Sequence, residues 1–578
     1  MSLRFPIIFY RWIWAFWGQR PYSMALRNIF LVVIFLLMKK SILIIAIAIL
    51  LFQPCSTLYA DDTVNNYINK MTLREKIGQF LFVGFQGKTI SSEDIAHLKK
   101  INPGGIVFYA RNFKDATDVA SLIRNIQSIS KDHGIPMFFA IDQEGGIVHR
   151  IKGEFYKPPS QPAIGATNSD ELARKVGLSV GSALRSLGIS INLAPVLDVP
   201  SDILSSPMTG RSYSNDFKIV ERLGIAYING LKDAGLLATA KHFPDIGRAA
   251  DDSHLRLPYV TWKTQVEKDN DMMPFKSAIR AGVDIIMVGH FIAEPGDTKN
   301  PISLSSFWMK DVLRKELGFG GLIIVDNIEM KPVEDIMSIS EAAVQSFKAG
   351  ADIIMVSHER KKQEEVFNAL MEAVKKGNIS NGRLNESLRR IIEAKGRIMS
   401  HRAGKRISNN LKDISRLVAE NSVAALKLDD APTLNISKEN MLLYTGHNLT
   451  LFNAIKNSFR HTEILNTTLQ NYKKMKPEIP IVEFLRKFDT VIIDADYSDA
   501  SGIISICNDL NLKYVMVLSH PWNILRTLER FKPGWIVVTF ENSKVHFEVA
   551  AEIICGTRQA KGRLPYNIGL PTNYGYID

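Results

Sequence analysis

The chain has 578 residues, 46% of them hydrophobic and 22% charged, with a formal net charge of +12. That length holds two or three domains, each able to bury a full core, and the composition excludes a disordered or low-complexity chain. Residues 1–60 carry six Lys/Arg and no carboxylate, leaving +6 for the remainder, too mild a charge to point to nucleic acid.

The first sixty residues read as a targeting segment. Met38-Lys39-Lys40 precedes an apolar run from Ser41 to Phe52, and Ser56-Thr57-Leu58-Tyr59-Ala60 ends in a small residue before Asp61-Asp62. A positive end, a short apolar stretch and a small residue form the pattern of an export signal, and the run is short for a bilayer span. Translation is expected to begin at Met24 or Met38, with an uncleaved N-terminal membrane anchor as the alternative. The expected location is therefore across the inner membrane, periplasmic or extracellular. Phe52-Gln53-Pro54 lacks the small residues that lipid attachment at Cys55 would require. Cys507 and Cys555 lie in apolar surroundings and read as buried thiols. No metal-ligand spacing occurs, and no cofactor is called for.

Asn65 to Phe80 reads as a helix with Thr72 as a cap. A short apolar strand followed by an amphipathic helix then repeats, with strands at Gln79–Val83, Gly105–Tyr109, Met137–Ile141, Ile189–Leu193, Leu236–Ala240, Ile285–Val288, Leu322–Val325 and Ile353–Val356. Eight such units predict a closed (β/α)8 barrel, with a doubly wound open sheet as the second choice. In a barrel the residues that follow the strands share one face, where chemistry is placed.

Those strand ends carry Asp142 with Glu144 and Arg150, then Asp198, Arg211, Lys241 with His242, His290, Asp326 and finally His358. Donors and acceptors at that density suit a polyhydroxylated ligand. Each also has a structural reading: Asp142 or Asp198 as a helix cap, Arg150 as a salt-bridge partner, His290 and His358 as structural histidines. Between Lys241 and Pro258 a polar loop contains Asp252-Ser253-His254. A short turn there lets the Asp252 carboxylate accept from the imidazole, fixing its tautomer and raising its proton affinity, so that His254 can serve as a general acid. Asp252 as a turn cap beside a solvated His254 is the other reading of that triplet.

Taken together and in order, these stretches resemble family 3 glycoside hydrolases, in particular the bacterial β-N-acetylglucosaminidase branch. The matching segments are Ile141-Asp142-Gln143-Glu144-Gly145-Gly146 with Arg150, Leu193-Ala194-Pro195-Val196-Leu197-Asp198-Val199, Gly210-Arg211-Ser212-Tyr213, Lys241-His242-Phe243-Pro244, Asp252-Ser253-His254 and Val325-Asp326-Asn327-Ile328-Glu329-Met330. The resemblance implies a retaining hydrolysis of terminal N-acetylglucosamine from peptidoglycan fragments or related glycans. Asp326 would be the nucleophile and His254 the acid/base, oriented by Asp252, while Asp142, Arg150, Arg211, Lys241 and His242 would grip the sugar. A β-glucosidase or β-xylosidase of the same family, or a non-catalytic wall-binding relative, are the alternatives.

The chain departs from the family pattern where Asp245-Ile246-Gly247 and Arg248-Ala249 replace the usual Gly-His-Gly and Asp-Thr, and where Ile147 stands for an Arg. These changes bear on substrate detail and leave the catalytic trio in place. The domains are read as a segment 1–60, a barrel 61–399, a basic linker 400–412 and a C-terminal α/β sandwich domain 413–578. In the last, a helix over Ile414–Ala425 and strands at Met441–Tyr444, Thr490–Ile493, Tyr514–Leu518 and Trp535–Phe540 are expected. Gly562-Arg563-Leu564-Pro565-Tyr566 resembles the end of the family's second domain, for which a packing and recognition role is expected, without a catalytic residue. The partner expected is a carbohydrate substrate, with membrane association only through the N-terminal segment.

Overall fold

The computed structural model describes residues 64–130, 135–152, 157–250, 256–400, 411–428, 436, 439–465, 480–496, 500–520, 533–567 and 574–576. Strands Leu81–Val83 (β1), Gly105–Phe108 (β2), Phe138–Ile141 (β3), Ile191–Asn192 (β4), Leu237–Phe243 (β5), Ile285–Val288 (β6), Leu322–Val325 (β7) and Ile353–Val356 (β8) close into a parallel barrel, β8 pairing with β1. These mostly apolar runs are buried along their whole length, as strands covered on both faces must be. They are the eight strands expected from the sequence.

Two edges differ in a way that matters for the site. β4 keeps only Ile191–Asn192 as regular strand, yet Leu193 to Leu197 continue beside β5, with Thr239 N and Lys241 N donating to Ala194 O and Pro195 O and Val196 bridging Lys241. β5 runs three residues beyond the expected Ala240, to Phe243. Lys241 and His242 therefore belong to the strand, at an irregularity where the register with β6 shifts between Ala240 and Phe243. Such a break re-aims side chains at a barrel rim. The peptide carbonyl of Lys241 is still held, accepting from Leu197 N at 2.7 Å.

At the N-terminal side, the helix expected from Asn65 is interrupted. Thr72 opens a new helix, Leu73–Gly78, by exchanging hydrogen bonds with Glu75, a capping box that starts helices and does not continue them. Among the described residues no helix is long and apolar enough to cross a membrane.

The C-terminal part is built on a second sheet: Ala424–Leu428 (β9), Met441–Thr445 (β10), His461–Leu465 (β11), Thr490–Asp494 (β12), Tyr514–Leu518 (β13), Trp535–Val538 (β14) and Tyr574–Tyr576 (β15). Their order is β11-β10-β12-β13-β14-β9-β15, parallel as far as β14, with β9 antiparallel to both its neighbours. Alternation sorts the side chains to two cores. Leu442, Tyr444, Ile492, Val515 and Val517 pack on one face, and Leu443, Val491, Ile493 and Met516 on the other, as a period of two requires. The helix expected over Ile414–Ala425 ends at Ser422, and Ala424 and Ala425 instead pair with Val538 and Val537 of β14. Small apolar residues suit either state, and the open edge of β14 decides it. Cys507 is buried as expected, whereas Cys555 is only half-buried at a helix end, its Sγ 3.1 Å from Thr557 Oγ1.

Candidate active site

The strands carry their apolar residues up to the barrel rim and release polar side chains there. A cavity of about 320 Å³ lies at that rim, lined among others by Tyr109, Asp142, Glu144, Arg150, Arg211, Lys241, His242, Ile246, Asp326 and His358. Asp142, Arg150, Arg211, Lys241, His242 and Asp326 are thus brought to one place from the ends of β3, β5 and β7 and the loop after β4. Asp252 and His254 lie outside the described residues. On the near side of that segment Ile246 lines the cavity, and Arg248 is fixed by an ion pair to Asp271, whose carboxylate also accepts from Trp262 Nε1 at 2.9 Å.

The cationic wall is organised by carboxylates. Lys241 Nζ lies 2.8 Å from Asp142 Oδ1 and 2.6 Å from Glu144 Oε1. Arg211 holds Glu144 with both arms, at 3.0 and 2.7 Å. Burial alone would raise the Glu144 pKa, but Arg211 and Lys241 hold it far below the usual carboxylate range. Lys241 is likewise opposed by burial, and Asp142 and Glu144 raise its pKa, so the ammonium persists. Arg150 Nη2 stands 3.6 Å from Asp142 Oδ2, while its Nε is buried with no hydrogen-bond partner among the described residues. An unpaired buried donor is costly.

The loop carrying these groups is buckled by Gln143, whose Oε1 accepts from the N–H groups of Arg150 at 2.8 Å and Ile151 at 3.2 Å. Gly145 and Gly146 adopt φ of 105° and 56°, and a Cβ on Gly145 would stand 2.2 Å from Pro159 O. Only glycine meets both requirements there.

Asp198 does not cap a helix. Its carboxylate accepts from His242 N at 3.1 Å and Ile246 N at 3.1 Å, and pairs with His242 Nδ1 at 2.7 Å. That bond orients the imidazole and leaves Nε2 as its other polar atom. His290 is a support, with Nδ1 2.7 Å from Ser303 Oγ and Nε2 3.1 Å from Asn327 O. His358 faces the cavity and packs on Tyr109, ring centroids 5.0 Å apart, while Tyr109 Oη is 2.6 Å from Ser357 Oγ.

Asp326 sits at the end of β7, its N–H bonded to Val288 O at 3.1 Å and its Oδ1 accepting from Asn327 N at 2.7 Å. Burial raises the carboxyl's pKa, but His290, His242, the Asn327 N–H and Lys241 more than offset that, so its pKa lies below the ordinary 3.8. The result is a desolvated, ionised carboxylate on a cavity rich in hydrogen-bond donors, the combination that nucleophilic catalysis at an acetal carbon needs.

Glu144, Asp198 and His358 stand among the strand-end residues read from the sequence but carry no role there in catalysis or in the sugar grip, and Tyr109 is read only as the end of a strand. Glu144 and Asp198 lay within the recognised stretches, but nothing in a linear pattern says that a carboxylate will bridge two cations or hold a histidine from another strand.

A family model, the glycosyl hydrolase family 3 N terminal domain, matches residues 72–394. A β-hexosaminidase of Photobacterium profundum is 34% identical over 292 residues, covering 50% of this chain and 85% of that protein. A β-hexosaminidase of Haemophilus influenzae is 31% identical over 295 residues, 50% of this chain and 82% of the other. Among solved structures, the family 3 β-N-acetylglucosaminidase of a Paenibacillus species superposes with a TM-score of 0.77 at 27% identity, over 86% of this chain and 99% of that one. The chain belongs to glycosyl hydrolase family 3, and its barrel carries the pocket of a glycosidase.

Proposed function

We propose that this enzyme is a retaining exo-β-N-acetylglucosaminidase that removes terminal N-acetylglucosamine from peptidoglycan fragments or related amino-sugar glycans. The observation that carries the reading is Asp326, buried and held ionised on the same cavity as Arg150, Arg211, Lys241 and His242. Asp326 attacks the anomeric carbon and forms a glycosyl-enzyme, while His254, oriented by Asp252, protonates the departing oxygen. The same imidazole then takes a proton from water as it attacks the anomeric carbon and frees Asp326. Asp142, Arg150, Arg211, Lys241 and His242 hold the sugar's hydroxyl groups. The small cavity favours one terminal residue over an internal one. Residues 1–60 support export of the chain, and the N-terminal sequence of protein recovered outside the cytoplasm tests that part.

Parallel kinetics on chromogenic N-acetylglucosaminide and glucoside test the specificity: the N-acetylated substrate is expected to be much faster, and a faster glucoside overturns the reading. If Asp326→Ala leaves turnover unchanged, Asp326 is not the nucleophile. Muropeptide binding by a wild type that shows no turnover at all would identify a binding protein.

A further inference from the structure

The C-terminal domain touches the turn that carries Arg211 through a phenol. Tyr566, 2% exposed, donates its hydroxyl to Ser212 O at 2.9 Å and accepts the N–H of Gly210 at 3.3 Å. Those two peptide groups bracket Arg211. The junction is closed on the same side by Ser214 Oγ donating to Pro565 O and by Asn567 N donating to Asn215 Oδ1 at 2.7 Å. Arg211 in turn clamps Glu144 with two hydrogen bonds, and Glu144 is the anionic partner of Lys241.

A second contact from the same domain supports the facing loop. Glu541 Oε2 accepts from Ser160 N at 2.8 Å, and Ser160 Oγ donates to Phe540 O at 2.9 Å. Ser160 packs beneath Gly146, where an added Cβ would stand 2.8 Å from its own Cβ. Both loops that carry the cations and carboxylates of the grip are therefore backed by polar contacts from a domain that contributes nothing to the described cavity lining. Arg211 is only 14% exposed and already clamped on Glu144, so fixing the peptide groups on both sides of it keeps that pre-set arrangement from shifting when a ligand binds.

We infer that Tyr566 is a positioning residue for substrate binding, fixing the Arg211 turn and, through Glu144, the setting of Lys241, so that the C-terminal domain tunes sugar affinity without entering the pocket. The inference rests on the reading of Arg211 as a sugar-gripping residue. A buried phenol does this well because one oxygen serves as donor and acceptor at once.

The test is steady-state kinetics of the full chain on a chromogenic N-acetylglucosaminide. Tyr566→Phe leaves a part-buried N–H and a buried carbonyl without that partner, and is expected to raise KM about tenfold with kcat within about twofold. Tyr576→Phe is the control: its hydroxyl accepts from Leu564 N at 2.9 Å in the same tail, so its loss is expected to lower thermal stability and leave KM unchanged. Equal rises in KM for both variants, or a Tyr566→Phe variant that loses only stability, would overturn the inference. Arg211→Ala separates the two layers. If it leaves KM unchanged, the grip itself is misassigned; if it raises KM while Tyr566→Phe does not, the positioning role alone fails. Should Tyr566→Phe not fold, Ser214→Ala interrogates the same junction, with a smaller rise in KM expected and an unchanged KM counting against the inference.

Discussion

Lys241 Nζ stands 2.6 Å from Glu144 Oε1, and neither side chain is more than 3% exposed. The pair does not stand alone: Asp142 takes a second side of the ammonium and Arg211 both oxygens of Glu144. A cluster of this kind is held together by mutual compensation, and removing one member leaves the others as uncompensated buried charge.

Glu144→Ala is accordingly expected to destabilise the protein by about 3–5 kcal/mol and to weaken sugar binding, while Glu144→Gln keeps part of the hydrogen bonding and costs less. The sign of the pH dependence follows from the depressed pKa. Glu144 contributes its full stability above the ordinary glutamate value of 4.5, and loses it as pH falls below that toward the folded-state value. The gap in unfolding midpoint between wild type and Glu144→Gln should narrow as pH is lowered from 6 to about 3.5; a constant gap would mean the carboxylate is not the source.

Asp326 makes a parallel prediction in rate. Because its pKa is held below 3.8, protonation of this proposed nucleophile should not limit kcat/KM above about pH 4. Asp326→Ala should lose roughly 10³-fold or more in kcat, with thermal stability at neutral pH little changed. An acid limb near pH 6 that vanishes in an Asp326 variant would contradict the low pKa.

The barrel was legible because its strands are near-continuous apolar runs at regular spacing, and the residues that line the cavity because they stand directly after those runs. Lys241 and His242 illustrate the limit. Sequence placed them in a loop, whereas they sit in an extended β5 whose irregular register with β6 turns them to the rim. Asp198 read equally well as a helix cap, and only the three-dimensional neighbour His242 reveals its work. Ala424 and Ala425 carry no strand signal of their own and take that state from the edge of β14. Contacts between the tail and the barrel, such as Tyr566 with Ser212, join positions more than 350 residues apart, a distance at which no local pattern speaks.

The general acid is tested by leaving group. His254→Ala should slow substrates with poorly departing alcohols by about 10²–10⁴-fold, and activated aryl glycosides much less, since the latter depart without a proton. Chromogenic N-acetylglucosaminide and a disaccharide compared on the same variant supply the readout. Equal losses on both would remove His254 from the acid role.

Lys395 offers a stability prediction remote from the pocket. Its side chain is 4% exposed, its Nζ donates to Gln79 Oε1 at 2.6 Å, and it lies 5.1 Å from the centroid of the Phe138 ring. With no carboxylate among the described residues to oppose it, burial lowers its pKa from 10.5 to about 7. Below pH 7 the ammonium is charged in both folded and unfolded chains, and burying that charge costs its full amount. Between pH 7 and 10.5 the folded chain sheds the proton while the unfolded chain keeps it, so stability gains roughly 1.4 kcal/mol per pH unit from this group. Lys395→Met removes the titration. The variant should therefore hold its greatest advantage over wild type below pH 7 and lose it progressively toward pH 10, measured as the difference in unfolding midpoint; a difference that does not change with pH would show that the ammonium is not desolvated.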